Sequence, residues 1–214
     1  MNLPFTESQF LGVFEHYNTS LWWCVLVLWV ITFFSAAFWL LKGFRSDYWL
    51  TLLLALQWLW SGIMYHLVHF TSINPAAYLF GVFFIVQAVL FYWYGAKGRL
   101  HFVAGMAGWN LIGAALVIYS LVYPFLGMIL GFQYPRMPSF GVPCPVTLLS
   151  AGLLLTTTPP APRPLFVIPI AWTIIAGTAA VLFDVYMDWA LFIAGACLAV
   201  FLFKSRTGRA EETP

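Results

Sequence analysis

The sequence predicts an all-α, polytopic membrane helix bundle with about seven transmembrane helices and a short interfacial helix at its N-terminus. Three observations predict it: a composition of 63% hydrophobic against 7% charged residues, successive apolar runs long enough to cross hydrocarbon, and a lopsided placement of lysine and arginine between the loops. A soluble domain carries roughly 25% charged residues, so polar surface is too scarce to cover a water-soluble globule of 214 residues. The expected environment is a lipid bilayer. The nine Lys and Arg residues never form a run that would neutralise several phosphates, so no nucleic acid is expected as a partner.

Met1 to Asn18 contains no Lys or Arg and carries Glu7 and Glu15, unlike a secretory leader with its basic start, so a retained N-terminus is expected. Thr6 is a suitable N-cap, Gln9 completes a capping box, and Phe5 and Phe10 are placed as a hydrophobic staple. Phe10, Val13, Phe14 and Tyr17 then form one apolar stripe, which predicts a short helix lying in the membrane interface.

Uncharged runs predict spans at 21–41, 49–70, 75–96, 102–123 and 165–183, and a last one at about 187–203. The segment 140–158 is the difficult one, since its apolar core from Val146 to Thr158 is short; Pro143 and Pro145 are acceptable in a first helical turn. Positive charge decides it. With seven spans and the N-terminus outside, Lys42, Arg45, Lys97, Arg99, Arg163, Lys204, Arg206 and Arg209 fall in the cytoplasm and only Arg136 falls outside. If 140–158 does not cross, Arg163 and the three C-terminal charges change sides and the bias vanishes. The expectation is therefore one transmembrane domain over 1–214, N-out and C-in.

Aromatic residues mark the same boundaries: Trp22, Trp23, Tyr78 and Trp189 at outer ends, and Trp39, Tyr48, Trp49, Tyr92, Trp93 and Tyr94 at inner ones. Trp58, Trp60, Trp109 and Trp172 sit deeper and read as packing residues, with a ligand-lining role open for a minority of them. Ala104, Gly105, Gly108, Gly113 and Ala114 suggest close packing along the fourth span, and Gly127 to Gly131 adds a GxxxG after Pro124. Gln57, Gln87 and Asn110 are the polar residues near mid-membrane; interhelical hydrogen bonds explain them. No carboxylate or lysine lies near the bilayer centre, which argues against a proton pump.

The outer side is the richer one. The predicted topology gathers Glu15, His16, His66, His69, Asn74, Asp184 and Asp188 there, with Glu7, Asn18 and Cys144 nearby. His66 and His69 are three apart, about 60° around an α-helix, so both imidazoles can converge on a divalent metal ion. Further ligands would come from Glu15, His16, Asp184, Asp188 or Cys144 on other segments. Otherwise Glu15, His16, Asn74, Asp184 and Asp188 would serve as a polar ligand site, or as solvated surface residues. A Cys24 to Cys144 disulfide is conceivable but not expected, and Cys197 reads as a packing residue. Ser61 beside Gly62 lacks a G-x-S-x-G elbow.

The stretches Pro4 to Asn18, Tyr65 to Gly81 (YHLVHFTSINPAAYLFG) and Gln133 to Thr147 (QYPRMPSFGVPCPVT) resemble a bacterial multipass membrane family of unknown function. The resemblance implies a bacterial inner membrane and supplies no reaction. Three functions stay open: binding or transport of a metal ion or small solute at an outward-facing polar pocket, an accessory subunit docking a membrane partner or a second copy, and an enzyme acting on a lipid-linked substrate.

Overall fold

The computed structural model describes residues 5–42 and 46–210, apart from the side chains of Lys42 and of residues 206–210. Arg45 and the side chains of Lys42, Arg206 and Arg209, on which part of the charge count rests, lie outside that description. Among the described residues seven α-helices follow one another: α1 (Glu7–Lys42), α2 (Asp47–Trp60), α3 (Ala77–Ala96), α4 (Gly108–Ile129), α5 (Pro143–Leu155), α6 (Pro164–Leu182) and α7 (Ala190–Ala210). The α2 helix continues as a π-helix over Ser61–His69 and a 3-10 turn over Phe70–Ser72; a second 3-10 turn, Tyr186–Trp189, leads into α7. Six of these passes are long and apolar enough to cross a membrane.

The separate interfacial helix expected at the N-terminus is absent, because α1 runs unbroken for 36 residues. Its start follows the sequence signals: the Thr6 amide donates to Gln9 Oε1 at 2.8 Å, the Gln9 amide donates to Thr6 Oγ1 at 3.3 Å, and Phe5 stacks on Phe10 at 6.1 Å. Asn18, Thr19 and Ser20, between the expected interfacial helix and the expected span from residue 21, are helical. The Thr19 hydroxyl donates back to the Glu15 carbonyl at 2.8 Å and that of Ser20 to the His16 carbonyl at 2.6 Å, so neither draws the backbone out of the helix. The stripe Val13, Phe14 and Tyr17 is buried against the bundle and does not lie on a membrane surface.

Two other boundaries shift. Residues 102–107, expected to begin the fourth span, are not helical; Phe102 bridges to Thr157, and the Phe102 amide donates to Asp47 Oδ1 at 3.0 Å. At its far end α4 passes through Pro124 to Ile129; prolines are tolerated in membrane helices, and beside this one the Trp29 indole donates to the Leu121 carbonyl at 2.9 Å. The segment 140–158 contains only the 13-residue helix α5. At 1.5 Å per residue that is about 20 Å, short of a hydrocarbon core about 30 Å thick. Every residue of α5 except Cys144 is buried, so its ends meet protein, where non-helical backbone is allowed at membrane depth.

Glycine sets the α4/α5 contact. A Cβ on Gly113 would stand 2.5 Å from the Gly152 carbonyl oxygen, and one on Gly152 would stand 2.6 Å from that of Gly113, so the two backbones touch. Polar side chains join other pairs: the Gln57 amide donates to Thr32 Oγ1 at 2.6 Å between α2 and α1, that of Gln87 to the Leu165 carbonyl at 3.0 Å between α3 and α6, and the Trp58 indole to Ser150 Oγ at 2.7 Å between α2 and α5.

These contacts sort the residues into two ends. At one, Asp47 pairs with His101 at 3.0 Å, Thr158 bonds to His101, and Trp109 and Phe166 pack on Phe201, which brings Lys97, Arg99, Arg163 and Lys204 to the same end. The other end holds the first turns of α1, the π-helix, the 130–142 loop and the turn before α7. There Arg136 meets Glu15 at 3.6 Å. Trp22, Trp23, Tyr78 and Trp189 are exposed at this second end and Tyr48, Trp49, Tyr92 and Trp93 at the first; Trp39, expected in the inner belt, is 1% exposed and belongs to the core.

Candidate functional site

A cavity of about 400 Å³ opens at the Arg136 end, between the start of α1, the π-helix, α6 and the turn before α7. Its walls are mostly aromatic. Phe10 stacks on Phe183 at 4.8 Å, Phe5 on Phe183 at 5.6 Å, and Phe14 on Tyr65 at 5.5 Å, so the apolar stripe of α1 forms one side. Opposite it, Trp172 meets Phe80 at 5.3 Å and Phe84 at 4.9 Å. The pocket expected here to be polar is chiefly apolar.

His66 is set into this wall. It is fully buried, edge-on to Phe84 at 4.7 Å and to Trp172 at 5.1 Å, and neither ring nitrogen has a hydrogen-bond partner. The Trp172 indole nitrogen beside it is also unpartnered. Leaving one buried polar group unpaired costs about 1–3 kcal/mol, so such a group calls for an explanation, and a ligand or a bound water is the ordinary one.

The second polar feature is Asp188, 5% exposed, in the turn before α7. Tyr123 donates its hydroxyl to Asp188 Oδ1 at 2.5 Å, the Cys144 thiol sits beside the same carboxylate, and the neighbouring Tyr119 hydroxyl holds the Met187 carbonyl at 2.8 Å. Asp188, Cys144 and His66 all line the cavity.

His69 goes elsewhere. Its Nδ1 lies 2.6 Å from the Met64 carbonyl, its Nε2 3.2 Å from Ser20 Oγ, and its ring packs edge-on to Tyr17 at 5.6 Å. The expected convergence of His66 and His69 assumed α-helical spacing. A π-helical turn holds more residues than an α-helical one, so positions three apart diverge further around the axis. Among the described residues no three His, Cys, Asp or Glu side chains come together as a metal site would need.

Of the other sequence candidates, Asn74 lines the cavity, where its Oδ1 accepts from the Ala76 amide at 3.0 Å. His16 and Asp184 are exposed, Asp184 with φ +52°, and Glu15 is engaged with Arg136. The three cysteines are unpaired. Tyr65, Tyr123, Phe80 and Phe183 carry no mark of a site in the sequence; Phe5, Phe10 and Phe14 stand out there only as a staple and an apolar stripe, and Trp172 as one of four deep tryptophans read chiefly as packing.

A family model matches residues 7–212, described as a family of unknown function, DUF6064. The chain belongs to this family. Nothing among the curated proteins or the solved structures matches it. The match runs from the first turn of α1 past the end of α7, so every residue lining the cavity but Phe5 falls within DUF6064.

Proposed function

We propose that the protein is a multipass inner-membrane protein, N-out and C-in, that binds a lipophilic small molecule in the aromatic cavity on the side away from the cytoplasm. The observation that carries this reading is His66, a buried imidazole with both nitrogens unpartnered in the wall of an otherwise apolar cavity. The orientation is supported by the clustering of Lys97, Arg99, Arg163 and Lys204 at the far end, since cytoplasmic loops carry the positive excess. A metal ion is the weaker occupant for the same cavity, because both nitrogens of His69 are already engaged.

Mass spectrometry of organic extracts from the protein purified in mild detergent tests the ligand. A small molecule enriched over bulk lipid is expected with the wild type and lost with His66→Phe; extracts matching bulk lipid in both would end the proposal. The same variant removes an unpartnered polar group, so it is expected to raise unfolding stability by about 1–2 kcal/mol, measured by thermal melting in detergent. For orientation, single cysteines at Tyr78 and Lys97 are labelled with an impermeant maleimide in intact cells. Tyr78 is expected to react and Lys97 not; the reverse would invert the assignment.

A second reading rests on α1, which exposes Trp23, Val27 and Phe34 along one face. This face could seat a membrane partner or a second copy, and in-membrane crosslinking from Val27 reports either.

A further inference from the structure

We infer that the ligand of the cavity is an organic cation, an amine carried on an apolar body, with Asp188 as its counter-ion. The inference rests on the reading of the cavity as a ligand site and names the chemistry it selects.

Asp188 is buried in the turn before α7, with neutral partners. Its neighbours at hydrogen-bonding range are the Tyr123 hydroxyl and the Cys144 thiol, and among the described residues its carboxylate is in neither of the ion pairs, which join His101 to Asp47 and Arg136 to Glu15. A carboxylate offers about four lone-pair positions, and two donors leave room for more. Acidic side chains in such places pair with a cation or face a cavity that supplies one, because an isolated charge in low dielectric is costly. Here Asp188 lines a cavity.

The rest of the wall suits the same guest. Aromatic faces attract ammonium groups through their quadrupole, most strongly when water is excluded, and Phe10, Phe14, Tyr65 and Trp172 present rings around this space. A neutral ligand would gain from the apolar area but leave Asp188 without a counter-charge. An anionic ligand would be repelled by it. His66 adds a position for a second, neutral polar group on the guest, since its ring can donate or accept according to tautomer.

The test uses the full chain in nanodiscs of zwitterionic phosphatidylcholine, so that the membrane itself does not favour cations. Equilibrium binding of two radiolabelled probes of similar shape, phenylbutylamine and phenylbutanol, is compared. The wild type is expected to bind the amine about tenfold or more tightly than the alcohol, and Asp188→Asn to bring the two to parity. Asp188→Glu restores a carboxylate and is expected to restore the preference, which tests the charge even if Asp188→Asn does not fold. Equal binding of both probes by the wild type, or retention of the preference in folded Asp188→Asn, would overturn the cation assignment and leave the cavity reading standing. Binding of neither probe would overturn both.

Discussion

Gly152→Ala is expected to destabilise the protein by roughly 3 kcal/mol, at the upper end of what overpacking usually costs. The reason is that the new methyl has nowhere to go. It would stand 2.6 Å from the Gly113 carbonyl oxygen and 2.9 Å from the Val117 amide nitrogen, and both atoms are α4 backbone, which cannot move aside as a side-chain tip can. Relief requires α4 and α5 to separate along their whole contact, and α5 is buried on all sides. Gly152→Leu is therefore expected to leave no folded protein. Gly12→Ala supplies the contrast: a Cβ there meets nothing within 4 Å, and replacing a helix-interior glycine gains about 0.5–1 kcal/mol. Denaturant unfolding of the three variants in one detergent separates the effects. A neutral Gly152→Ala would mean that the two backbones are not in contact.

Asn18→Leu should cost about 2–4 kcal/mol, since it strands several buried polar atoms while keeping side-chain volume. The Asn18 amide donates to the carbonyls of Pro135 at 2.7 Å and Met137 at 2.8 Å, its Oδ1 accepts from Ser139 at 2.5 Å, and its backbone carbonyl accepts from Tyr134 at 3.2 Å. The first three bonds are made by the side chain, which thus fastens the 135–139 loop to α1. Because that loop leads directly to Val142, Pro143 and Cys144 in the cavity wall, the variant should also speed amide exchange in residues 134–142. Unchanged exchange there would show that the loop is held by other contacts, such as the Tyr17 hydroxyl to the Phe140 carbonyl at 3.4 Å.

The apolar runs made six of the long passes legible, because length and the absence of charge are local properties of a chain. What escaped depended on partners. The continuity of α1 through Asn18, Thr19 and Ser20 is hidden because sequence shows their polarity and not the carbonyls that Thr19 and Ser20 bond. The missing first turn of the fourth span depended on Asp47, 55 residues from Phe102. The site was half visible. His66, Asn74 and Asp188 stood out as polar groups near helix ends, whereas Phe10, Phe14, Phe80 and Phe183 look the same whether they face lipid, core or ligand. The metal pairing of His66 with His69 failed to appear because an α-helical period was applied to a segment that is π-helical. Gly113 was noticed and Gly152 was not, since close approach is a property of two helices.

The short central helix bears on how the chain enters a membrane during synthesis. Alone in the insertion channel, α5 could neither reach both headgroup layers nor find protein to cover the backbone at its ends. Its first available neighbour is α4, already made and matched to it through Gly113, so the two would leave the channel as a pair and wait there for α6. Assembly order would then be written into helix length, with the shortest segment dependent on the company it keeps.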